Sequence, residues 1–241
     1  MNAESSFEYE GSELDLFAAA TNWRAYWMSL VRPHLGLNVL EVGAGIGSVT
    51  QVLADGSRSW TALEPDGQLA GRIKTWCEAA RSERIKVVVG GLDDLEAGAR
   101  YDTILYIDVL EHIEDDAAEV TKAFDRLTPG GRLVILAPAH QWLFTPFDTS
   151  IGHYRRYNRA MLRRIRPALA HEQASAYLDS AGIAASAANR LLLRTASPTR
   201  AQIHLWDTRL VPISRGIDRW VRYNFGKSLL TVWTKPNEVQ S

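Results

Sequence analysis

Apolar residues along the chain follow two different periods, and the two periods alternate. Short runs rich in Val, Ile and Leu predict buried strands at residues 38–42, 59–63, 85–89, 102–107 and 132–137. Helical patterns separate them at residues 48–54, 67–80 and 116–127. This alternation is typical of a parallel sheet covered by helices.

The flanking regions extend this architecture. Leu14 to Leu30 repeat apolar residues at helical spacing, with Ser12 as the N-cap, and predict a helix that closes over a ligand. Residues 159–169 read as a helix, and residues 173–178 and 228–233 as two further strands. We therefore expect an α/β fold with a doubly wound, mostly parallel, seven-stranded sheet, an N-terminal helix and a C-terminal inserted cap.

Four segments are expected along the chain. They are an N-terminal arm and lid helix (1–34), a ligand-binding core (35–178), an inserted cap (179–227), and a terminal strand with a tail (228–241). The insert contains Pro198 and Pro212 as breaks, and it mixes Trp and Phe with Arg. An aromatic cover packed on the sheet is the favoured interpretation, and a substrate cap or a basic surface lying on a membrane stays open.

Composition restricts the class of protein more than it restricts the ligand. The chain has 241 residues, of which 46% are hydrophobic, and its single Cys cannot form an internal disulfide. Neither a secretory leader nor a run of about 18 apolar residues is evident, so we expect a cytoplasmic protein. Residues 1–150 carry 23 acidic and 12 basic residues, whereas residues 151–241 carry 5 and 15. This asymmetry favours an anionic partner for the C-terminal part, unless its arginines only cover the acidic part.

The segment after the first strand carries the clearest chemistry. Gly43, Gly45 and Gly47 permit a sharp turn and a close approach of a ligand to the backbone. Glu64 ends the second strand, where a doubly wound sheet places an acid for ribose hydroxyls. The third glycine comes one residue earlier than a dinucleotide fingerprint requires, and Glu41 repels a pyrophosphate. A cationic amino-acid nucleoside is therefore favoured over NAD.

Four ordered motifs carry a resemblance to a known family. They are Glu41-x-Gly-x-Gly-x-Gly, Glu64-Pro-Asp, the segment 101–113 that ends Asp-Val-Leu-Glu-His-Ile, and Leu127-Thr-Pro-Gly-Gly-Arg-Leu. Together they resemble class I S-adenosylmethionine-dependent methyltransferases over residues 35–138, which implies a Rossmann-like methyltransferase fold. Residues 137–144 and 148–157 resemble a bacterial small-molecule or sugar-type subgroup associated with cell-surface polysaccharide or other secondary biosynthesis.

The resemblance implies a cofactor site for S-adenosyl-L-methionine, with S-adenosyl-L-homocysteine as product. Its residues would be Glu41, Gly43, Ala44, Gly45 and Gly47 at the methionyl end, Glu64 at the ribose, Pro65, Gly91 and Leu92 at the adenine, and Asp108, Val109 and His112 beside the sulfonium. The family often has an acid near Gly91 for the adenine amino group. In this chain that acid is either displaced to Asp93 or absent.

Two histidines are candidates for the general base that a hydroxyl acceptor needs. His140 follows the fifth strand and His153 lies in Gly-His-Tyr-Arg-Arg-Tyr; His140 is slightly favoured, and a structural role is equally open for both. The candidate acceptor-binding residues are Tyr9, Tyr154, Arg155, Arg156 and Tyr157. A metal site built from Asp108, His112, His140 or His153 is not expected, because Asp-x-x-x-His has no second clustered pair.

We therefore expect a methyltransferase that acts by in-line displacement on a small-molecule, sugar or lipid-linked acceptor, with an anionic acceptor and peripheral membrane contact both left open. An RNA methyltransferase is the alternative that the basic C-terminal third favours, but single scattered arginines make a nucleic-acid partner less favoured. A non-catalytic S-adenosylmethionine-binding regulator is a second alternative. An NAD-dependent oxidoreductase is the least favoured.

Overall fold

One sheet of seven strands organises the part of the chain that the computed structural model describes, namely Leu14, residues 17–188 and residues 199–237. The strands are β1 (Asn38–Val42), β2 (Ser59–Glu64), β3 (Ile85–Val89), β4 (Tyr101–Ile107), β5 (Leu127–Pro138), β6 (His171–Leu178) and β7 (Ser228–Thr234). Their order is β3-β2-β1-β4-β5-β7-β6, with only β7 antiparallel to its neighbours. This confirms the predicted doubly wound sheet. The strand order reverses between β1 and β4, which is where such sheets bind ligands.

Nine helices surround the sheet in the described residues. They are α1 (Thr21–Val31), α2 (Thr50–Leu53), α3 (Gly67–Ala80), α4 (Asp116–Asp125), α5 (Pro146–Ser150), α6 (Arg159–Ile165), α7 (Ser180–Ala188), α8 (Arg200–Leu205) and α9 (Val211–Trp220). A π-helical turn, Trp206–Leu210, joins α8 to α9. Short side chains cap several of them: Asp66 accepts hydrogen bonds from the backbone of Gln68 and Leu69 at the start of α3.

Several element ends differ from the sequence prediction. The helix expected at 48–54 is confined to α2, because the glycine turn continues to Val49. The helix expected at 116–127 ends at Asp125, and β5 already begins at Leu127. The helix expected at 159–169 ends at Ile165, since a residue before a proline, here Arg166 before Pro167, disfavours helical backbone. Ser12, the expected N-cap of the first helix, lies outside the described residues.

Each face of the sheet packs against its own apolar layer. On one face Trp60, Leu105 and Val134 are buried together with Trp27 of α1. On the other face Tyr106 and Trp233 are buried with residues of α4. The layer beside α1 also contains Trp206, which belongs to the segment predicted as an inserted cap.

Buried carboxylates tie this segment to α1. Asp207 accepts hydrogen bonds from the backbone N–H of Asn22 (3.2 Å) and Trp23 (2.8 Å), and so caps the N-terminus of α1 from a distant part of the chain. Asp218 accepts from the Tyr26 hydroxyl at 2.8 Å. The segment boundaries given above stay predictions. None of the described helices has the length and apolar character needed to cross a bilayer.

Candidate active site

A cavity of about 320 Å³ lies at the carboxyl ends of β1 and β4. It is lined by Glu41 and residues of the glycine turn, and also by a polar cluster that includes Glu111, His112 and His153. Two tryptophans of α1, Trp23 and Trp27, also line it. A third, Trp206, comes from residues 199–227, hereafter the C-terminal segment. Volumes of about 300–1,000 Å³ are usual for small-ligand sites. The fold therefore brings the glycine motif and the later His motifs into one space.

The glycine turn has the backbone that its sequence predicts. Gly43, Gly45 and Gly47 have φ of 66°, 57° and 78°, in the left-handed region that favours glycine. A Cβ added to Gly43 would lie 2.6 Å from Cγ2 of Val109, so the turn after β1 packs directly on the turn after β4. Ala44 lines the cavity between the first two glycines. Gly43 and Gly45 line the cavity as well, whereas Gly47 and Val109 do not belong to its described lining.

Glu41 is a buried acid that lines the cavity. Its Oε2 accepts hydrogen bonds from Thr50 Oγ1 (2.6 Å) and Trp60 Nε1 (2.9 Å). Burial raises the pKa of this carboxyl to about 7, although the two hydrogen bonds oppose the rise. A cationic group placed in the cavity would favour the ionised form.

Glu64 joins the end of β2 to the glycine turn. Its two oxygens accept from the backbone N–H of Gly45 (2.6 Å) and Asp66 (2.9 Å), and burial raises its pKa. Pro65 and Gly91 are exposed beyond it, whereas Leu92 is buried in the core. Glu64, Pro65, Gly91 and Leu92 thus lie at or just after the ends of β2 and β3. None of these four predicted cofactor residues belongs to the cavity lining that the described residues form.

Two acids, Asp93 and Asp94, follow Gly91 closely in the chain. The carboxylate of Asp93, the alternative position for that acid, forms an ion pair with Lys122 at 2.6 Å on the surface. Asp94 instead turns back to accept a hydrogen bond from the backbone N–H of Gly91 at 2.8 Å. Asp93 is therefore engaged away from Gly91.

Asp108 follows β4 and has φ of 52°, an uncommon value for a residue other than glycine. Its backbone N–H donates to Leu136 O at 2.8 Å, and its side chain opens into the cavity. The enclosed surroundings raise the pKa of this carboxyl to about 6, and the nearby His153 and Lys227 oppose the rise. Backbone strain and a raised pKa at one position are typical of functional sites.

Glu111, His112 and His153 form a cluster, hereafter the Glu-His-His cluster. One ligand-type atom from each lies within 4.8 Å of the other two. Glu111 is completely buried, and neither of its carboxylate oxygens has a hydrogen-bond partner among the described residues. Burial and the nearby Asp108 raise its pKa well above the ordinary value, and burial lowers the pKa of His112 to about 4.

Asp148 holds His153 and Arg156 in place from a buried position. Its Oδ1 lies 3.0 Å from His153 Nδ1, and Arg156 contributes a bidentate pair of 2.7 and 2.9 Å. Burial alone would raise the pKa of Asp148, but these hydrogen bonds hold it well below its usual range. His153 therefore directs its other ring nitrogen toward Glu111, with Nε2 at 3.9 Å from Oε1.

The structure places His140, the base favoured by the sequence, in a different environment. Its ring stacks on Tyr177 with centroids 4.9 Å apart, and the ring of Trp142 is tilted against it with centroids 5.9 Å apart. It does not belong to the described lining of the cavity. Its φ of 67° points to a turn-forming role after β5. Of the two candidate histidines, only His153 faces the cavity.

The acceptor-pocket residues separate in a similar way. Arg156 lines the cavity, whereas Arg155 pairs with Asp116 at 2.6 Å and donates to backbone carbonyls. The buried Tyr157 hydroxyl also bonds to Asp116 at 2.7 Å, and Tyr154 is half exposed on the surface. These three residues hold the loop in place rather than line the cavity. Tyr9 lies outside the described residues.

Four charged residues that line the cavity were not among the site residues predicted from the sequence, namely Arg24, Glu111, Asp148 and Lys227. Lys227 lines the cavity, where its Nζ lies 3.3 Å from Asp179 and 3.8 Å from the ring centre of Trp206, and burial lowers its pKa. None of the sequence motifs described above contains Lys227. Glu111 stands inside the Asp-Val-Leu-Glu-His-Ile motif, so its position was visible although its burial was not.

Comparisons with known proteins agree with this arrangement. The model of a methyltransferase-domain family matches residues 17–184. A probable S-adenosylmethionine-dependent methyltransferase of Mycolicibacterium smegmatis is 31% identical over 134 residues, which are 54% of this chain and 50% of that protein. A ubiquinone biosynthesis O-methyltransferase of Xylella fastidiosa is 30% identical over 149 residues, covering 54% of this chain and 60% of that protein. The chain thus spans about half the length of the curated relatives it matches.

A solved structure extends the likeness to the whole fold. The N-methyltransferase NodS of Bradyrhizobium japonicum, in complex with S-adenosyl-L-homocysteine, superposes with a TM-score of 0.56 at 16% identity, covering 90% of this chain and 88% of that chain. Family model, relatives and fold agree with the four motifs and with the glycine turn at the strand-order reversal. The chain belongs to the S-adenosylmethionine-dependent methyltransferases.

Proposed function

We propose that this protein transfers the methyl group of S-adenosylmethionine to an oxygen atom of a small acceptor, sugar-like or lipid-linked. One observation carries the proposal: a single cavity is lined both by the glycine turn, hereafter the donor end, and by the Glu-His-His cluster, hereafter the acceptor end. A donor held at the first end would face an acceptor held at the second. Such positioning can contribute about 7–11 kcal/mol to catalysis.

The donor end suits the cofactor in shape and charge. Side chains are missing at Gly43 and Gly45, which line the cavity where a ligand would approach the backbone, and Glu41 offers a carboxylate to an ammonium group. Glu64 lies behind the turn and accepts the Gly45 N–H, so it supports the shape of the turn as well. When bound, S-adenosylmethionine supplies an electrophilic methyl group on a cationic sulfur.

The acceptor end suits a hydroxyl. His153 is oriented by Asp148, and Arg156 offers a fork of donors beside it. This arrangement supports a role for His153 in activating the acceptor, in preference to His140. The relative named as an O-methyltransferase in ubiquinone biosynthesis supports oxygen as the methylated atom.

The walls of the cavity favour a small reacting group. Trp23, Trp27 and Trp206 stand over the site, and the C-terminal segment that carries Trp206 is anchored to α1 through Asp207. Apolar walls exclude water from a reactive methyl donor. A folded macromolecule would reach such a site only through an extended portion, so a small head group is the better fit.

The outer surface of the C-terminal segment supports a lipid-borne acceptor. Three apolar side chains of α9 are exposed to solvent, namely Ile213, Ile217 and Trp220, and the exposed fraction of Trp220 is 85%. The exposed charges of residues 199–225 are all arginines, namely Arg200, Arg209, Arg215, Arg219 and Arg222, whereas both acids of this stretch, Asp207 and Asp218, are buried. Exposed aromatic and basic residues on one helix are typical of proteins that lie on anionic membranes.

A labelling experiment tests this function. Purified protein is incubated with S-adenosylmethionine labelled on the methyl group and with an extract separated into lipid, small-molecule, protein and RNA fractions. We expect label in the lipid or small-molecule fraction, lost in a Gly43→Val variant and kept in the surface control His171→Ala. Label confined to RNA or protein, or cofactor binding without any transfer, would overturn the proposal.

A further inference from the structure

We propose that the Glu-His-His cluster binds a divalent transition-metal ion, with Glu111, His112 and His153 as its three protein ligands. The ligand atoms already lie within 4.8 Å of one another. Ligands that share one metal at about 2.0–2.2 Å lie about 3–4 Å apart. The observed separation of 3.9 Å between His153 Nε2 and Glu111 Oε1 falls in that range.

The state of Glu111 independently points to a missing cation. Its carboxylate is fully buried, and neither oxygen accepts a hydrogen bond from any described residue. A buried acid without partners is costly, and native proteins rarely leave one. A metal ion would satisfy both oxygens from the cavity side.

The two histidines are oriented as metal ligands usually are. Asp148 holds His153 through Nδ1 at 3.0 Å, and a hydrogen bond with the backbone of Gly152 holds His112. Metal-ligating imidazoles commonly give their second nitrogen to a carboxylate or a backbone carbonyl, which fixes the ring. Asp148 is thus a positioning residue, itself anchored by Arg156.

The charges around the cluster favour a cation. Arg156 pairs with Asp148, and Lys227 pairs with Asp179. Among the described residues, neither Lys nor Arg pairs with Asp108 or Glu111. Two imidazoles and one carboxylate suit Zn²⁺, Fe²⁺, Mn²⁺ or Co²⁺ better than Mg²⁺, which prefers oxygen ligands.

The inference deepens the proposed function, on which its catalytic part rests. Three protein ligands leave coordination positions open toward the cavity, where an acceptor hydroxyl can bind and lose its proton more readily. The proton passes to Asp108, a carboxylate in the same cavity. The oxygen then bonds to the methyl carbon as the bond from that carbon to sulfur breaks. His153 acts here as a ligand.

Metal binding is measured directly, without an acceptor. Tag-free protein is stripped with chelator, desalted and titrated with Co²⁺, Zn²⁺ and Mg²⁺ by calorimetry, and Co²⁺ binding is also followed by its visible absorption. We expect one equivalent of Co²⁺ or Zn²⁺ to bind, with Mg²⁺ much weaker. Glu111→Gln and His153→Gln should each weaken binding roughly 100-fold or more, and Asp148→Asn about 10- to 100-fold. His171→Ala, which removes an exposed imidazole, should change nothing.

The folding control separates a ligand from a structural acid. In chelator, Glu111→Gln should unfold at the same or a higher temperature than the parent, because it removes a buried charge and keeps the shape. All variants should still bind S-adenosyl-L-homocysteine. Absence of stoichiometric Co²⁺ or Zn²⁺ binding, or binding unchanged in Glu111→Gln and His153→Gln, would overturn the metal site. Methyl transfer that persists in chelator would refute its catalytic role and leave the proposed function standing, whereas metal binding without any transfer would do the reverse.

Discussion

The hydroxyl of Tyr26 donates a 2.8 Å hydrogen bond to Asp218, a residue 192 positions further along the chain. The same carboxylate accepts from the backbone N–H groups of Asp179 (2.7 Å) and Ser180 (2.9 Å). One buried acid therefore joins α1, the end of β6 and α9. The wall of the cavity depends on this junction.

Replacing Asp218 should destabilise the fold more than its surface would suggest. Asp218→Ala leaves three buried donors without an acceptor, and each such donor costs about 1–3 kcal/mol. We expect the free energy of unfolding to fall by about 3 kcal/mol or more in urea denaturation. Tyr26→Phe removes one of the three bonds and should cost about 1 kcal/mol. Asp125→Ala, at an exposed position, is the control, and an equal loss there would contradict the argument.

The backbone of the glycine turn gives a sharper test of the donor end. Gly43→Ala forces an L residue to a φ of 66° and brings its Cβ to 2.6 Å from Val109. We expect at least a 10-fold loss of affinity for S-adenosyl-L-homocysteine in calorimetry. Gly71→Ala, in the middle of α3 with no atom within 4 Å of the new Cβ, should keep full affinity and stabilise the protein by about 0.5–1 kcal/mol.

The titration of Glu41 predicts a pH dependence of cofactor binding. Its pKa in the folded protein is about 7, above the ordinary value of 4.5. A cationic ammonium group prefers the ionised carboxylate, so the affinity for S-adenosyl-L-homocysteine should rise from pH 6 to pH 8. Calorimetric titrations across this range measure the rise, and Glu41→Gln should bind more weakly with a flat profile.

Glu41 also affects stability, with the opposite trend. Because the folded state holds the proton more tightly than the unfolded state, the free energy of unfolding of the cofactor-free protein falls as the pH rises from 4.5 through 7. The loss from this one group is about 3 kcal/mol. Urea denaturation at pH 5 and pH 8 measures it. A stability difference that is the same in Glu41→Gln would show that other groups cause it.

The two candidate histidines should differ strongly in their effect on methyl transfer. His153 faces the cavity, and His153→Asn should lower kcat at least 100-fold, which is the usual range for a residue that activates a hydroxyl. His140→Asn keeps a residue that tolerates a φ of 67°, and its effect should be far smaller. Rates with the labelled acceptor fraction compare them. A larger loss for His140→Asn would restore the sequence-based choice.

The exposed face of α9 should bind anionic vesicles. In sedimentation with vesicles that contain anionic phospholipid, Trp220→Ser and Arg219→Glu should each weaken binding several-fold, and added salt should weaken it further. Neutral vesicles should bind less. The matched control is Leu169→Ser, which removes an apolar side chain that is 71% exposed elsewhere on the surface. Equal binding by all of these variants would remove the support for a lipid-borne acceptor.

Local signals were sufficient for most of the sheet and for the backbone of the glycine turn. The strands β1, β4 and β7 contain short apolar runs that are buried, and Gly43, Gly45 and Gly47 adopt a conformation that few other residues tolerate. Glu64 is the last residue of β2. It therefore lies at the edge of the sheet where the carboxyl ends of parallel strands meet. Periodicity and backbone preference act within a few residues, so the sequence alone determines them.

The acceptor end was decided only by the tertiary structure. Tyr177 stacks on the ring of His140, and Asp148 holds the ring of His153 through Nδ1. These contacts decide which of the two histidines lines the cavity. The burial of Glu111, without a hydrogen-bond partner for its carboxylate among the described residues, depends on the loop that carries His153 and packs beside it. The contacts of His140 with Tyr177 and of Glu111 with His153 join residues 37 and 42 positions apart, and their energies depend on packing and burial that no local pattern records.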